Sequence, residues 1–383
     1  MNQMNLKEEH NIIRESIRAF AEKEIRPVAG KLDENEEFSA ELTAKMGELG
    51  LFGTTVAEEF GGHGLDYLSY IIAVEELARV DGSQAATVAA HNSLGTGPIF
   101  YFGSKAQKEK YLPKLCTGKA LWAFGLTEPD AGSDSQATRT TAELKDGFWV
   151  INGSKTFITN GSAEITAGVT VKAVSGVRGD GKKEFSTILV EAGTPGFTAR
   201  TMKGKLMWRG SNTSELFFDN CRVPAENLLG HRGDGAKVML TALDSGRLAI
   251  GAMGLGCAQG AFEAALAYSK ERKQFGKPIG NFQVIAFKLA DMAVKIEAAR
   301  NLLYNACWLR DNKKPFAREA AMAKLYCSEV AKEVADEAVQ IHGGYGLLKG
   351  YDVERFYRDQ RLLQIGEGTS EIQRLVISRH LGI

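Results

Sequence analysis

The sequence predicts an α+β protein in which a helical unit, a β unit and a second helical unit follow one another over 383 residues. Three observations predict this order. Apolar residues recur every three to four positions near both ends of the chain. The middle reads as short β-branched and aromatic segments. Glycine-rich clusters separate the pieces. The units are read as 1–118, 119–230 and 231–383.

In the first unit, Ile12, Ile13, Ile17 and Phe20 keep a helical period, as do Leu42, Met46 and Leu49, and Ile71, Val74, Leu77 and Ala78. Gly61-Gly62-His63-Gly64 breaks the pattern. The second unit holds Phe148–Ile151, Thr156–Thr159, Ser186–Val190 and Glu215–Phe218. Asp146-Gly147, Asn152-Gly153 and Asn160-Gly161 stand between or beside these segments as turn signals, so antiparallel pairing is expected. In the third unit Leu289, Met292, Ile296, Ala299 and Leu303 form one stripe of a long helix. No internal repeat or low-complexity linker interrupts the chain, so the three units should pack as one body.

Lys+Arg and Asp+Glu both number 47, which leaves no net charge to draw a nucleic acid or an anionic membrane. A hydrophobic share of 44% and a charged share of 25% are ordinary for a soluble enzyme. Cys116, Cys221, Cys257, Cys307 and Cys327 are odd in number, widely spaced and lack a Cys-x-x-Cys pair. Free thiols in a reducing compartment fit better than disulfides or zinc. The polar start, Met1 to His10, resembles neither a secretory signal nor an Arg-rich transit peptide. No uninterrupted apolar run reaches the ~20 residues of a membrane helix. Cytoplasm is the expected location, with no membrane insertion and no metal.

The segment Gln364 to Arg374 says most about chemistry. Glu367 stands between an apolar residue and glycines, just before a helix-like run at Ile372, Leu375 and Val376. Glycines let a backbone approach a flat ligand, and a carboxylate held there can act as a base on carbon. The plainer reading is a helix start with Thr369 as its cap. Gly125 to Asp134 concentrates hydroxyls and turn formers, which suits either a phosphate-binding loop or an ordinary capped turn. Arg272 and Phe275 precede a Gly-x-Pro break; an arginine there is either solvated or forked onto phosphate. Gln340, Gly343 and Gly344 form a third cluster at a helix end.

Taken in this order, Thr-Glu-Pro-x-Ala-Gly-Ser-Asp, Lys-x-Phe-Ile-Thr-Asn, Arg-x-Gln-Phe-Gly-x-Pro, Gln-x-x-Gly-Gly-x-Gly and Glu-Gly-Thr-x-Glu-Ile-Gln resemble the acyl-CoA dehydrogenase family over nearly the whole chain. The resemblance implies a helical N-terminal domain, a middle antiparallel β-barrel domain and a C-terminal four-helix bundle. It implies FAD, a homotetramer built as a pair of dimers, and oxidation of an acyl-CoA to its 2-enoyl-CoA. Electrons would pass to an electron-transferring flavoprotein.

Residue by residue, the resemblance assigns Glu367 as the base. Phe124, Leu126 and Thr127, with Gly132 and Ser133, would lie along the cofactor, and Phe157, Ile158 and Thr159 on its other side. Ser133 would also reach the CoA, together with Asp244, Arg247 and Gly368. Arg272, Phe275 and Gln283 would hold the FAD of a neighbouring subunit. Gln340, Gly343 and Gly344 match its adenosine end, and Thr369 and Glu371 the contacts after the base. Without the resemblance, Asp244 and Arg247 read as a helical i, i+3 ion pair.

Some relatives carry the base just before the arginine, where this chain has Gly246, so Glu367 keeps the role. The chain departs from the pattern at Gly350-Tyr351-Asp352 and at Met207-Trp208. The second departure reads as β-unit packing or as a changed contact with substrate or a neighbour. His91 reads as a hydrogen-bond partner at a helix end. A short- or branched-chain acyl-CoA is favoured; a cyclic acyl-CoA and an oxidase-like flavoenzyme are the alternatives. A nitroalkane-oxidising relative, which uses an aspartate base, and a non-catalytic scaffold fit less well.

Overall fold

The computed structural model describes residues 6–383. The first half of the polar N-terminal stretch, residues 1–5, lies outside them. Helices α1 (Glu8–Phe20), α2 (Arg26–Asn35) and α3 (Ala40–Glu48) lead into α4 (Tyr67–Ala78) and α5 (Gly82–Ala90). Short helices α6 (Gly97–Phe102) and α7 (Lys105–Leu115) complete the first unit. The ends of α4 and α5 are set by side chains. Asp66 accepts from Ser69 N, and Asp81 from Ser83 N and Gln84 N. Ile17, Met46, Ile71, Val74 and Leu77 are buried as their period requires. Ile12 is 60% exposed and Leu49 40%. Ile12 lies one position off the Ile13–Ile17 face, and Leu49 caps α3 rather than continuing it.

The middle unit is one mixed sheet. Its strands are β1 (Leu121–Gly125), β2 (Thr141–Lys145), β3 (Phe148–Thr159), β4 (Thr166–Val177), β5 (Lys183–Glu191), β6 (Phe197–Thr201), β7 (Thr213–Pro224) and β8 (Leu228–Leu229). The order is β6-β7-β3-β2-β4-β5-β8, with β1 beside β4. Most junctions are antiparallel, but β1–β4 and β2–β4 run parallel, which turn signals alone did not foretell. Parallel pairing needs a long connection, and the β1–β4 connection passes through β2 and β3.

Asp146 and Gly147 both take positive φ and turn β2 into β3. Asn152-Gly153, read as a turn, is instead an irregularity inside the twelve-residue β3, where pairing with β7 shifts register. A Cβ on Gly153 would meet Thr140 Oγ1 at 2.6 Å, so the glycine lets two strands approach.

In the last unit, α8 (Gly235–Glu271) is the central element, packed on α4, on α9 (Gln283–Asp311), α10 (Ala317–His342) and α11 (Asp352–Leu363). Helix α12 (Ser370–His380) packs on α10. Helix α8 is long and apolar enough to cross a membrane, yet 78% of its most apolar window is buried inside the protein. The predicted α9 stripe is buried at Leu289, Met292, Ile296, Ala299 and Leu303. A second α9 face, carrying Val284, Phe287 and Val294, is exposed at 62%, 59% and 68%.

The β unit is keyed to the helices by the Met207-Trp208 departure. Trp208 is buried at φ +45°, its N–H donates to Asp359 Oδ1 at 2.8 Å, and its indole packs over Gly82. That departure therefore seals the seam between the β unit and two helices. Gly350 turns at φ +96°, and Asp352 beyond it accepts from Arg26 at 2.7 Å. That departure ties α11 to α2.

Lys155 on β3 is fully buried and donates to Glu128 at 2.7 Å and to the Leu126 carbonyl at 3.2 Å. Glu128 also accepts from the backbone N–H groups of Arg139 and Thr140. Burial pushes its pKa up, but Lys155 and these N–H groups outweigh burial and hold it low. The Lys155→Met variant strands that carboxylate. It should lose about 3–5 kcal/mol of unfolding free energy in a denaturant titration.

Candidate active site

Glu367 sits at the turn between α11 and α12 with φ +51°, a left-handed conformation that few non-glycine residues adopt. Gly368 follows at φ +90°. Strain of this kind persists only where the surroundings fix it. Here α10 fixes both ends. Ser328 Oγ donates to the Leu363 carbonyl at 2.9 Å; Glu329 accepts from Gln364 and from Ser370. Gln373, on α12, donates to the Glu367 and Gly368 carbonyls. Thr369 caps α12, accepting from Ile372 N at 3.3 Å. The cap at Thr369 and a role for the Glu367 carboxylate are therefore compatible, since different residues of the turn carry them.

The carboxylate points at α8. A Cβ on Gly246 would fall 1.7 Å from Glu367 Oε2, so no other residue fits there without moving the acid. The residue is half-buried overall, while Oε2 is sealed from solvent and lacks a hydrogen-bond partner. Burial pushes the carboxyl up to about 7, against the opposing pull of Lys324 and Arg247. A carboxylate poised near neutrality suits a general base.

Arg247, one residue on from Gly246, is buried and donates to Asp244 at 2.5 Å; its Nε is unpartnered. Burial raises Asp244 despite that arginine. The pair is thus drawn into the site rather than solvated. Tyr67 and Tyr70, on α4, lie within reach of the Glu367 charge. Their hydroxyls donate to the Ser245 and Ala89 carbonyls, bracing α4 against α8 and α5.

The β unit supplies a second group. Thr156 N donates to the Thr127 carbonyl at 2.9 Å, which sets the Gly125–Asp134 loop beside β3. Phe157 bears an aromatic ring that is 66% exposed on a backbone at φ +59°. A ring presented this way fits the face of a planar ligand. Thr127, Thr159 and Leu126 are half-buried beside it, and Phe124 is buried. Ile158 points into the β core, so only its backbone faces outward. Gly132 and Ser133 are exposed, with open space over Gly132.

The third group lies elsewhere. Arg272 shares an open cleft of about 510 Å³ with Tyr268, Gly343, Gly344 and Tyr345. Nothing stands within 4 Å of a Cβ placed on Gly343 or Gly344, which leaves their backbone open to a ligand. Phe275 is 93% exposed at φ +52°, and Gln283, Gln340 and Glu371 are exposed. From Arg247 to Arg272 the chain runs 25 residues along α8, roughly 37 Å. The arginine cleft, at the C-terminal end of α8, is therefore well separated from the Glu367 turn, which meets the same helix at Gly246.

Three features escaped sequence reasoning. Lys155, Lys172 and Lys324 are buried behind loops of the candidate site, and nothing in the local sequence marks them out from the exposed lysines. His91 is a structural partner: Trp122 N donates to its Nδ1 at 3.2 Å, and its Nε2 bonds the Leu115 carbonyl at 3.0 Å. Burial lowers that imidazole to about 4.

An unpartnered buried acid, an exposed left-handed aromatic beside a hydroxyl-rich loop, and an arginine–glycine cleft suit an enzyme that holds a flat, phosphate-bearing ligand and has a base of its own. Models of the acyl-CoA dehydrogenase N-terminal, middle and C-terminal domains match residues 7–119, 123–221 and 233–382. The chain is 50% identical to a protein named a probable acyl-CoA dehydrogenase in Bacillus subtilis (strain 168), over 98% of both chains. It is 46% identical, again over 98% of both, to a short-chain-specific acyl-CoA dehydrogenase of Clostridium acetobutylicum. Butyryl-CoA dehydrogenase from Megasphaera elsdenii superposes with TM-score 0.95 at 43% identity, covering 99% of each chain. A chain from the structure of the electron-transferring flavoprotein of Acidaminococcus fermentans superposes with TM-score 0.96 at 45% identity, covering 100% of this chain and 99% of that one. The chain belongs to the acyl-CoA dehydrogenase family, and its cofactor is FAD.

Two consequences of the Glu367 geometry can be measured. Gly246→Ala should displace the carboxylate and cut turnover at least ~10²-fold without loss of bound FAD. The second concerns stability. The folded carboxyl titrates above its ordinary 4.5, so ionising it destabilises the fold. The penalty is absent below pH 4.5, grows with pH, and is complete above about 7. Glu367→Gln removes it, so the melting temperature of the holoenzyme should rise at pH 8 and stay unchanged near pH 4.5. The gain corresponds to on the order of 3 kcal/mol.

Proposed function

We propose that this acyl-CoA dehydrogenase converts a short, straight-chain acyl-CoA to its 2-enoyl-CoA with Glu367 as the base. The observation that carries the proposal is the buried, unpartnered Glu367 oxygen held against Gly246. The α-proton of a thioester is weakly acidic, so its removal calls for a base of raised pKa and for stabilisation of the charge left behind. The Glu367 carboxylate takes the α-proton. Its backbone N–H, which none of the turn's hydrogen bonds uses, is free to donate to the thioester carbonyl oxygen. The Cα–H bonding pair becomes the new double bond as hydride leaves Cβ. Bound FAD supplies the hydride acceptor.

The residues of this chain fit that cofactor. Phe157 and the Thr127 loop offer a flat wall and donors for its ring. Arg272 with the Gly343–Gly344 backbone suits its phosphates. Because Arg272 lies roughly 37 Å along α8 from Arg247 and the Glu367 turn, we read the arginine cleft as serving the FAD of a neighbouring subunit. The exposed, left-handed Phe275 and the exposed apolar face of α9 support an assembly, which we take to be a homotetramer. We assign Asp244, Arg247, Ser133 and Gly368 to the thioester and pantetheine, a reading supported for the first two by the burial of Arg247 one residue from Gly246.

The short-chain reading is supported by Tyr67 and Tyr70, whose rings fill space within reach of the Glu367 charge and cross-brace α4, α5 and α8. The named relatives that act on short-chain and butyryl substrates support it further. No feature favours a branched chain. An electron-transferring flavoprotein is the proposed acceptor, in keeping with the likeness to the A. fermentans structure. A cytoplasmic location is in keeping with five buried, free cysteines.

Two variants test the reading. Glu367→Gln should retain FAD and assembly but lose ~10²- to 10⁴-fold in turnover; near-normal turnover would remove Glu367 from the role. Arg272→Ala gives up charge-assisted hydrogen bonds, so FAD affinity should fall roughly 10- to 100-fold, with subunit dissociation in step. Unchanged affinity by flavin titration would dismiss the shared site.

A further inference from the structure

Lys324 lies on α10, opposite the turn that carries Glu367. Its side chain is wholly buried, its ammonium donates to the Gly368 carbonyl at 2.8 Å, and no carboxylate stands within ion-pair distance of it among the described residues. Burying an ammonium without a counter-ion is costly, and such a group persists where something nearby needs its charge. What lies nearby is the buried Glu367 oxygen, which lacks a hydrogen-bond partner.

We infer that Lys324 is a positioning residue for the base: it grips the Gly368 carbonyl, holds Glu367 in its left-handed conformation, and supplies the buried counter-charge that the carboxylate lacks. The inference rests on Glu367 being the base.

Other charges around the turn do not replace it. Arg247 on α8 is already engaged by Asp244 at 2.5 Å. Arg310 on α9 lies against Tyr67 and donates to Tyr101 and Ser245. Glu329 on α10 accepts from Gln364 and Ser370, and Glu371 on α12 is exposed. Tyr67 and Tyr70 on α4 are held neutral by burial. Burial brings Lys324 down to about 8, opposed first by Glu367, so it remains charged at neutral pH. The neutral Gln373 grips the same two carbonyls from the other side. The turn thus has one charged grip and one uncharged grip, and their effects can be separated.

The test compares Lys324→Met, Lys324→Gln and Gln373→Leu as holoenzymes, with butyryl-CoA as substrate. Loss of the ammonium should move the acid limb of kcat/KM upward by on the order of one pH unit in both Lys324 variants, including the glutamine that can still donate to Gly368. At pH 7 this lowers the rate roughly fivefold, with recovery toward alkaline pH. Gln373→Leu should lower kcat at every pH and leave the limb in place.

A second readout needs no turnover. In the Lys324→Gln background, the pH at which the gain in melting temperature from Glu367→Gln levels off should also move upward, while its onset near pH 4.5 stays in place. An unshifted limb and an unshifted stability midpoint overturn the inference, as does an equal shift in Gln373→Leu. Should Glu367→Gln itself keep turnover, the proposed function fails instead, so the two failures are distinguishable.

Discussion

The contact between the Glu367 carboxylate and the bare Cα of Gly246 is the constraint on which the rest of the site depends. Space for one carboxylate exists there only because α8 carries no side chain at that position. The acid is thereby taken out of water and its pKa raised toward neutrality. Every neighbouring element serves this arrangement. Helix α10 pins both ends of the turn, α12 starts at its Thr369 cap, and α4 braces the opposite wall through Tyr67 and Tyr70. A strained, desolvated group at the end of two helices is costly to stability, and the hydrogen bonds around it offset that cost.

A second device recurs. Loops of the candidate site are held from behind by buried lysines that donate to backbone carbonyls. Lys155 holds the Leu126 carbonyl as well as the Glu128 carboxylate, Lys172 holds Ser135 at 2.6 Å, and Lys324 holds Gly368. Lys205 does the same for Trp208 and Ser211 at the seam between units. A long side chain with three donors can reach across a layer to orphan carbonyls that the loop itself cannot satisfy. Burial lowers each of these four amines to about 8. A loop is kept rigid in this way without surrendering its outer face to the scaffold.

Much of this was legible in the sequence, and the remainder was not for identifiable reasons. The α9 stripe follows from helical period alone, because one face of that helix meets a core. Glu367 stood out because glycines flank it, and the same glycines supply the turn. Asn152-Gly153 misled because the dipeptide that makes a tight turn also makes a strand irregularity; only the packing of Thr140 decides between them. The parallel junctions of β1 and β2 with β4 depend on long-range pairing, which local periodicity does not encode. The buried lysines are invisible for the same reason, since their burial is decided by layers distant in sequence. The separation of Arg272 from Glu367 could be reckoned only once α8 was known to be one continuous helix.

The most direct test of the central claim is an anaerobic titration of the purified holoenzyme with butyryl, isobutyryl, 2-methylbutyryl, octanoyl, glutaryl and cyclohexanecarboxyl thioesters of CoA, followed by flavin absorbance. The account predicts rapid bleaching by the butyryl thioester and weaker or slower bleaching by the branched, long, acidic and cyclic ones. A yellow protein that none of them bleaches would contradict it.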